Sequence, residues 1–217
     1  MTTRAVIKGV GHYLPERIVP NAEFEKTLDT THEWIVSRSG IERRHFANDD
    51  ETTSMMATEA AKAALADAGL AVDDVDAIIL ATSTADLTFP SAATMVQARL
   101  GMTRGFAFDV QAVCAGFIYA LSNANALILS GQAKCVLVIG AETFSRIMDW
   151  TDRGTCVLFG DGAGALVLRA EDGKGTKDDA GILATDLNSD GSHRELLYVD
   201  GGVSTGTTGY LRMQGNQ

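Results

Sequence analysis

The chain has no apolar run long enough to span a membrane, no C-x-x-C pair and few basic residues. The first absence points away from a membrane protein. The second bears on its three cysteines, Cys114, Cys135 and Cys156, which follow no zinc-ligand spacing and whose odd number speaks against a disulfide framework. No metal site is expected, and a reducing cytosol fits. Eighteen Lys and Arg against 28 Asp and Glu give a net charge of −10. That balance argues against nucleic acid or an anionic membrane as the main partner, so an anionic ligand must be held by local charges. The amino terminus passes from Met1 straight into an alternating apolar pattern without the apolar core of an export signal, and a cytoplasmic location is expected.

What is present suits one α/β domain with insertions. At 217 residues and 46% hydrophobic, the chain can bury a sizeable core. Residues 4–12 read as a first strand. Asn21 is placed to cap a short helix to Leu28, and Thr31 to open another that Gly40 stops. Thr53 caps an Ala-rich helix ended by Gly69. Residues 75–82 form an apolar strand covered on both faces, and Pro90 sits in the first turn of a helix running to Leu100. Strands follow at 106–110, 133–140, 165–169 and 181–186. Strand and helix in alternation imply a parallel sheet with right-handed crossovers.

The centre of this pattern is the stretch from Phe106 to Ser130. Phe106, Phe108 and Val110 alternate as in a strand, and an almost unbroken apolar run from Cys114 to Ser130 reads as a buried helix ended by Gly131. Cys114 then lies at a helix N-terminus, where unpaired N–H groups and the helix dipole favour the nucleophilic thiolate. The alternative is a small core hydrophobe, since cysteine is among the most buried residue types.

Two further motifs carry two readings each. Glu42, Arg43, Arg44 and His45 make a charged run that is either a solvated face or, beside Trp34 and Arg38, a phosphate site. Gly160-x-Gly162-x-Gly164 invites a nucleotide-loop reading, but it precedes a strand and opens no helix, so close backbone packing beside the nucleophile is preferred. Residues 171–180 read as a polar surface loop, and the last thirty residues as loop-rich.

Taken together, six blocks resemble the β-ketoacyl-acyl carrier protein synthase III family, the initiating condensing enzymes of dissociated fatty-acid synthesis. They are Asp29 to Arg44, Phe89 to Ala93, Ala112 to Phe117, Thr151 to Thr155, Phe159 to Gly164 and Met213 to Asn216. The resemblance implies a thiolase-like fold, a five-layered αβαβα sandwich in the whole protein. Residues 1–170 would form its first half with insertions, and 171–217 the connection and the start of the second half. It implies that Cys114 takes an acyl group from acyl-coenzyme A as a thioester, its backbone N–H serving an oxyanion hole. Trp34 and Arg153 match a pair that sandwiches adenine. Thr30, Arg38, Leu158 and Gly215 match positions along the coenzyme A tunnel. Phe89 matches a residue that reaches into the acyl pocket of a second subunit, which implies a homodimer. Malonyl-acyl carrier protein is the implied second substrate, and no cofactor is implied beyond the coenzyme A thioester itself.

One departure stands out. The family's catalytic His and Asn lie in its C-terminal half, and none of His12, His32, His45 and His193 sits in the matching motif. The chain is therefore expected to be a fragment that needs the C-terminal half of the same enzyme. Other readings are a relative acting in polyketide or hydroxymethylglutaryl-type chemistry, and a non-catalytic scaffolding half.

Overall fold

The structure, a computed structural model, describes residues 2–214. In chain order the elements are β1 (Thr2–Tyr13), β2 (Arg17–Pro20), α1 (Asn21–Phe24), α2 (His32–Ser39), β3 (Arg43–Phe46), α3 (Thr53–Ala68), β4 (Ala77–Ala81), α4 (Ala92–Leu100), β5 (Phe106–Val110), α5 (Gly116–Leu129), β6 (Cys135–Thr143), β7 (Asp161–Gly173), β8 (Leu197–Val199) and β9 (Leu211–Met213). They group into two compact units, each discontinuous in sequence. One takes residues 1–14, 51–142 and 162–187, the other 15–50, 143–161 and 188–217.

The first unit holds a five-stranded sheet in the order β1-β7-β6-β4-β5. β4 runs parallel to both β5 and β6, with Ala81 opposite Val110 on one side and Gly140 on the other. The sheet is not parallel throughout as expected, because β1 pairs antiparallel with β7, Tyr13 facing Ala163 and His12 facing Gly164. Gly162 and Gly164 thus lie inside a strand, and no helix follows them to hold a pyrophosphate.

Two helices approach the sheet through small residues. α3 lies against β1 where Gly9 and Gly11 present no side chain to the backbone of Ala60, Ala64 and Ala68. α5 buries Gly116, Ala120, Ala124 and Ile128, a stripe of four-residue spacing, onto a core containing Ile79, Ala81, Val136 and Val138. On its other face Ile118 and Leu129 are about half exposed. No helix among the described residues is long and apolar enough to cross a membrane.

Helix ends follow local chemistry in most places. Thr31 accepts a hydrogen bond from the Trp34 N–H, and Gly40 closes α2 in the left-handed region. Thr52, not Thr53, caps α3. Ser91 caps α4, so Pro90 stands before the cap and not in the first turn, joined to Phe89 by a cis peptide. α1 stops at Phe24, and Asn21 caps nothing. Its amide is drawn inward, donating to the Ile41 carbonyl and accepting from Arg44.

The second unit is built on a β2–β3 hairpin and a core of Val19, Phe24, Ile35, Phe46, Phe144, Met148, Val157 and Leu211. Its carboxy-terminal stretch, read as loop-rich, contains a short antiparallel β8–β9 pair. In the first unit, residues 181–186 form no strand. Only the Ile182 N–H reaches the edge of β1, at the Ala5 carbonyl, and Gly181 adopts a φ of 107° beside it.

Candidate active site

β5 ends at Val110, and the chain turns sharply into α5. Val113 sits at a φ of +47°, a left-handed conformation that costs a β-branched residue free energy, and residues 113–115 form a single 3-10 turn. Cys114 occupies the middle of that turn. It is not the first residue of the α-helix, which begins two residues later, and it is exposed instead of buried. The single non-glycine residue in positive φ among those described therefore directly precedes the candidate nucleophile.

Cys114 opens into a cavity of about 410 Å³ lined also by Ala81, Phe117, Gly140, Glu142 and Gly164. Small residues on three strands, Ala81, Gly140 and Gly164, leave this space. A Cβ on Gly140 would stand 3.2 Å from the Phe117 ring, and one on Gly116 would stand 3.3 Å from the Ala81 methyl. The close approach of the α5 start to β4 and β6 sets where the Cys114 turn rests.

Glu142, which the sequence reading passed over, is the one carboxylate lining this cavity. It accepts hydrogen bonds from the Ser83 N–H at 2.8 Å and from the hydroxyls of Thr84 and Thr82 at 2.5 and 3.4 Å. Burial pushes its carboxyl above the ordinary glutamate range, against the pull of those donors. An acidic residue closing the run Val136-Leu137-Val138-Ile139-Gly140-Ala141 was the available signal.

In the second unit, the Arg153 and Arg38 guanidiniums both lie over the half-buried Trp34 ring, at 5.1 and 5.8 Å from its centre. Arg153 also donates to the Asp29 carbonyl, with the Asp29 carboxylate 3.4 Å away. The Thr30 hydroxyl is buried with no hydrogen-bond partner among the described residues, and Leu158 packs with Trp34 on the core of this unit. Phe89, in the first unit, is 82% exposed. Gly215 lies outside the described residues. The charged run does not form an exposed face or a phosphate cluster. Arg44 is buried, donating to the Val19 carbonyl, Asn21 Oδ1 and the Val157 carbonyl, and burial lowers its pKa. Its charge is consumed in the core, and Arg43 alone of the pair remains exposed.

Comparison with known proteins decides the family. Residues 108–191, which contain Cys114, match the model of 3-oxoacyl-[acyl-carrier-protein (ACP)] synthase III. Over all 217 residues the chain is 81% identical to the β-ketoacyl-[acyl-carrier-protein] synthase III of Ruegeria pomeroyi, covering 67% of that protein. The chain belongs to the β-ketoacyl-[acyl-carrier-protein] synthase III family. Crystal structures of synthase III enzymes agree. That from Aquifex aeolicus superposes with a TM-score of 0.88 at 49% identity, over 97% of this chain and 65% of its own. That from Pseudomonas aeruginosa gives 0.89 at 44%, over 98% and 64%. The fold is accordingly the thiolase-like α/β fold of the synthase III enzymes, and the chain spans about two thirds of the length of these relatives.

Proposed function

We propose that the enzyme containing this chain initiates fatty-acid synthesis by loading a short acyl group onto Cys114. The observation that carries this reading is an exposed thiol on a strained strand-to-helix turn, beside a cavity, within a chain 81% identical to a synthase III. The Cys114 thiolate attacks the carbonyl carbon of acyl-coenzyme A. A tetrahedral oxyanion forms, the carbon–sulfur bond to coenzyme A breaks, and coenzyme A leaves as a thiol once protonated. The Cys114 N–H is a donor suited to that oxyanion. In the second half-reaction malonyl-acyl carrier protein loses carbon dioxide, and the resulting carbanion attacks the acyl thioester. Acetoacetyl-acyl carrier protein forms when the acyl group is acetyl, and the Cys114 thiolate is released.

Supporting residues fall into two groups. Trp34 and Arg153, with Thr30, Arg38, Leu158 and Gly215, are assigned to coenzyme A. Phe89, exposed on its loop, is assigned to the acyl pocket of a second subunit in a homodimer. The chemistry needs no resident cofactor, since coenzyme A enters and leaves as a thioester carrier. Coenzyme A and acyl carrier protein are water-soluble carriers, which supports a cytoplasmic location.

Full-length enzyme incubated with acetyl-coenzyme A and digested should show an acetyl adduct on the peptide carrying Cys114. Cys114→Ser should abolish it. An adduct elsewhere, or none, overturns the reading.

A further inference from the structure

We propose that Glu142 is a positioning residue for Cys114, its half-buried carboxylate tying the end of β6 to the turn after β4 on which the start of α5 is seated. This inference deepens the acyl-transfer reading and rests on it for its catalytic consequence. Ala81 and Gly140 are register partners on β4 and β6, and they face Gly116 and Phe117, the first two residues of α5. Immediately beyond them the two strands are joined by side chains. Glu142 Oε1 takes the Ser83 N–H at 2.8 Å, and Oε2 takes the Thr84 and Thr82 hydroxyls at 2.5 and 3.4 Å. The same turn is bonded to the next strand, with the Thr82 N–H donating to the Val110 carbonyl at 3.1 Å. Val110 ends β5, and Cys114 is in the turn that leaves it. The carboxylate and this main-chain bond together hold three strand ends around the turn that carries the thiol.

A carboxylate drawn partly out of water is a costly way to join two chain segments unless each acceptor is used, and here both oxygens are occupied. An apolar side chain at position 142 would leave the Ser83 N–H without this acceptor and let the 82–84 turn relax. Displacement of a nucleophile by about 1 Å can cost on the order of a hundredfold in rate.

The test uses full-length enzyme. Glu142→Ala should slow single-turnover acetylation of Cys114 by about ten- to a hundredfold while KM for acetyl-coenzyme A stays within about twofold. Glu142→Gln should recover most of the rate, because its carbonyl can accept from Ser83 and its amide can donate to the Thr84 hydroxyl. The alkylation rate of Cys114 by iodoacetamide should follow the same order, and it needs no acyl donor. A wild-type enzyme that took no acetyl group would therefore overturn the proposed function while the alkylation series still decided the role of Glu142. If Glu142→Ala does not fold, Thr84→Val removes one donor alone and should slow alkylation severalfold. Wild-type alkylation in Glu142→Ala or, in its place, Thr84→Val overturns the proposal. So does a loss confined to KM, or a Glu142→Gln variant as slow as Glu142→Ala.

Discussion

The Arg153 guanidinium lies over the Trp34 ring, 5.1 Å from its centre, and is held there by the Asp29 carbonyl. A base cannot stack between the two at that spacing, so binding of adenine requires the pair to open. Arg153, exposed and on a flexible stem, is the partner that can move. Adding coenzyme A to full-length enzyme carrying Trp150→Phe should change the fluorescence of Trp34, the one tryptophan that variant leaves within residues 1–217. Arg153→Ala should weaken coenzyme A binding by a few-fold to about thirtyfold, the worth of a stacked cation, and Arg169→Ala should not. Equal affinities in the two variants would remove the assignment.

Stability should be most sensitive where β1 meets α3. A Cβ on Gly11 would fall 2.3 Å from the Ala60 carbonyl oxygen and equally near the Ala64 nitrogen, both backbone atoms that cannot swing aside. Gly11→Ala should destabilise by about 2–3 kcal/mol or more, through forced separation of strand and helix. Gly164→Ala, on the neighbouring strand, meets nothing within 4 Å and should stay within about 0.5 kcal/mol of wild type. Urea denaturation of the two variants measures the contrast, and equal midpoints would contradict the packing.

What could be read from the sequence was what local chemistry decides. The Thr31 cap and the Gly40 stop were legible because both act within one helical turn, and Cys114 was legible because a strand, a turn and an apolar helix follow one another without interruption. Arg44 was not legible. Its burial depends on the Val157 carbonyl, 113 positions away, and nothing near it in sequence predicts an acceptor there. Glu142 was missed for the same reason, since the donors that make it useful lie about 60 residues earlier. The antiparallel pairing of β1 with β7 was also hidden, because side-chain alternation looks alike in parallel and antiparallel strands. The half-exposed Ile118 and Leu129 on α5 agree with an apolar helix whose second face is left for a partner element.

Acid should act on two aspartates. The Thr151 hydroxyl first, and then Arg212, hold the Asp149 carboxyl down to about 2, and the Lys174 N–H leads the donors that hold Asp179 near the same value. An unfolded Asp titrates near 3.9. Each carboxylate therefore contributes stability that is fully present above the unfolded pKa and is lost as pH falls from about 4 towards 2. Carboxyl NMR titration of the folded protein should place both midpoints near 2. Thr151→Val should raise that of Asp149 and leave Asp179 unchanged. Midpoints near 4 in the wild type would refute the hydrogen-bond geometry.

The three thiols should separate cleanly by reactivity. Cys135 and Cys156 are 2% and 0% exposed, and burial pushes both thiols up to about 11. At pH 8 a thiol with that pKa is thiolate in only about one molecule in a thousand, and a buried sulfur is closed to the reagent as well. Cys114 is exposed in its turn, open to the reagent. Among these three thiols, brief iodoacetamide treatment of full-length enzyme should label Cys114 alone, with Cys135 and Cys156 labelled only after denaturation. Prior incubation with acetyl-coenzyme A should protect Cys114, because an acyl thioester has no free sulfur to alkylate, whereas coenzyme A alone should protect it less. Labelling of all three thiols at one rate in the folded protein would leave no reason to single out Cys114 as the nucleophile.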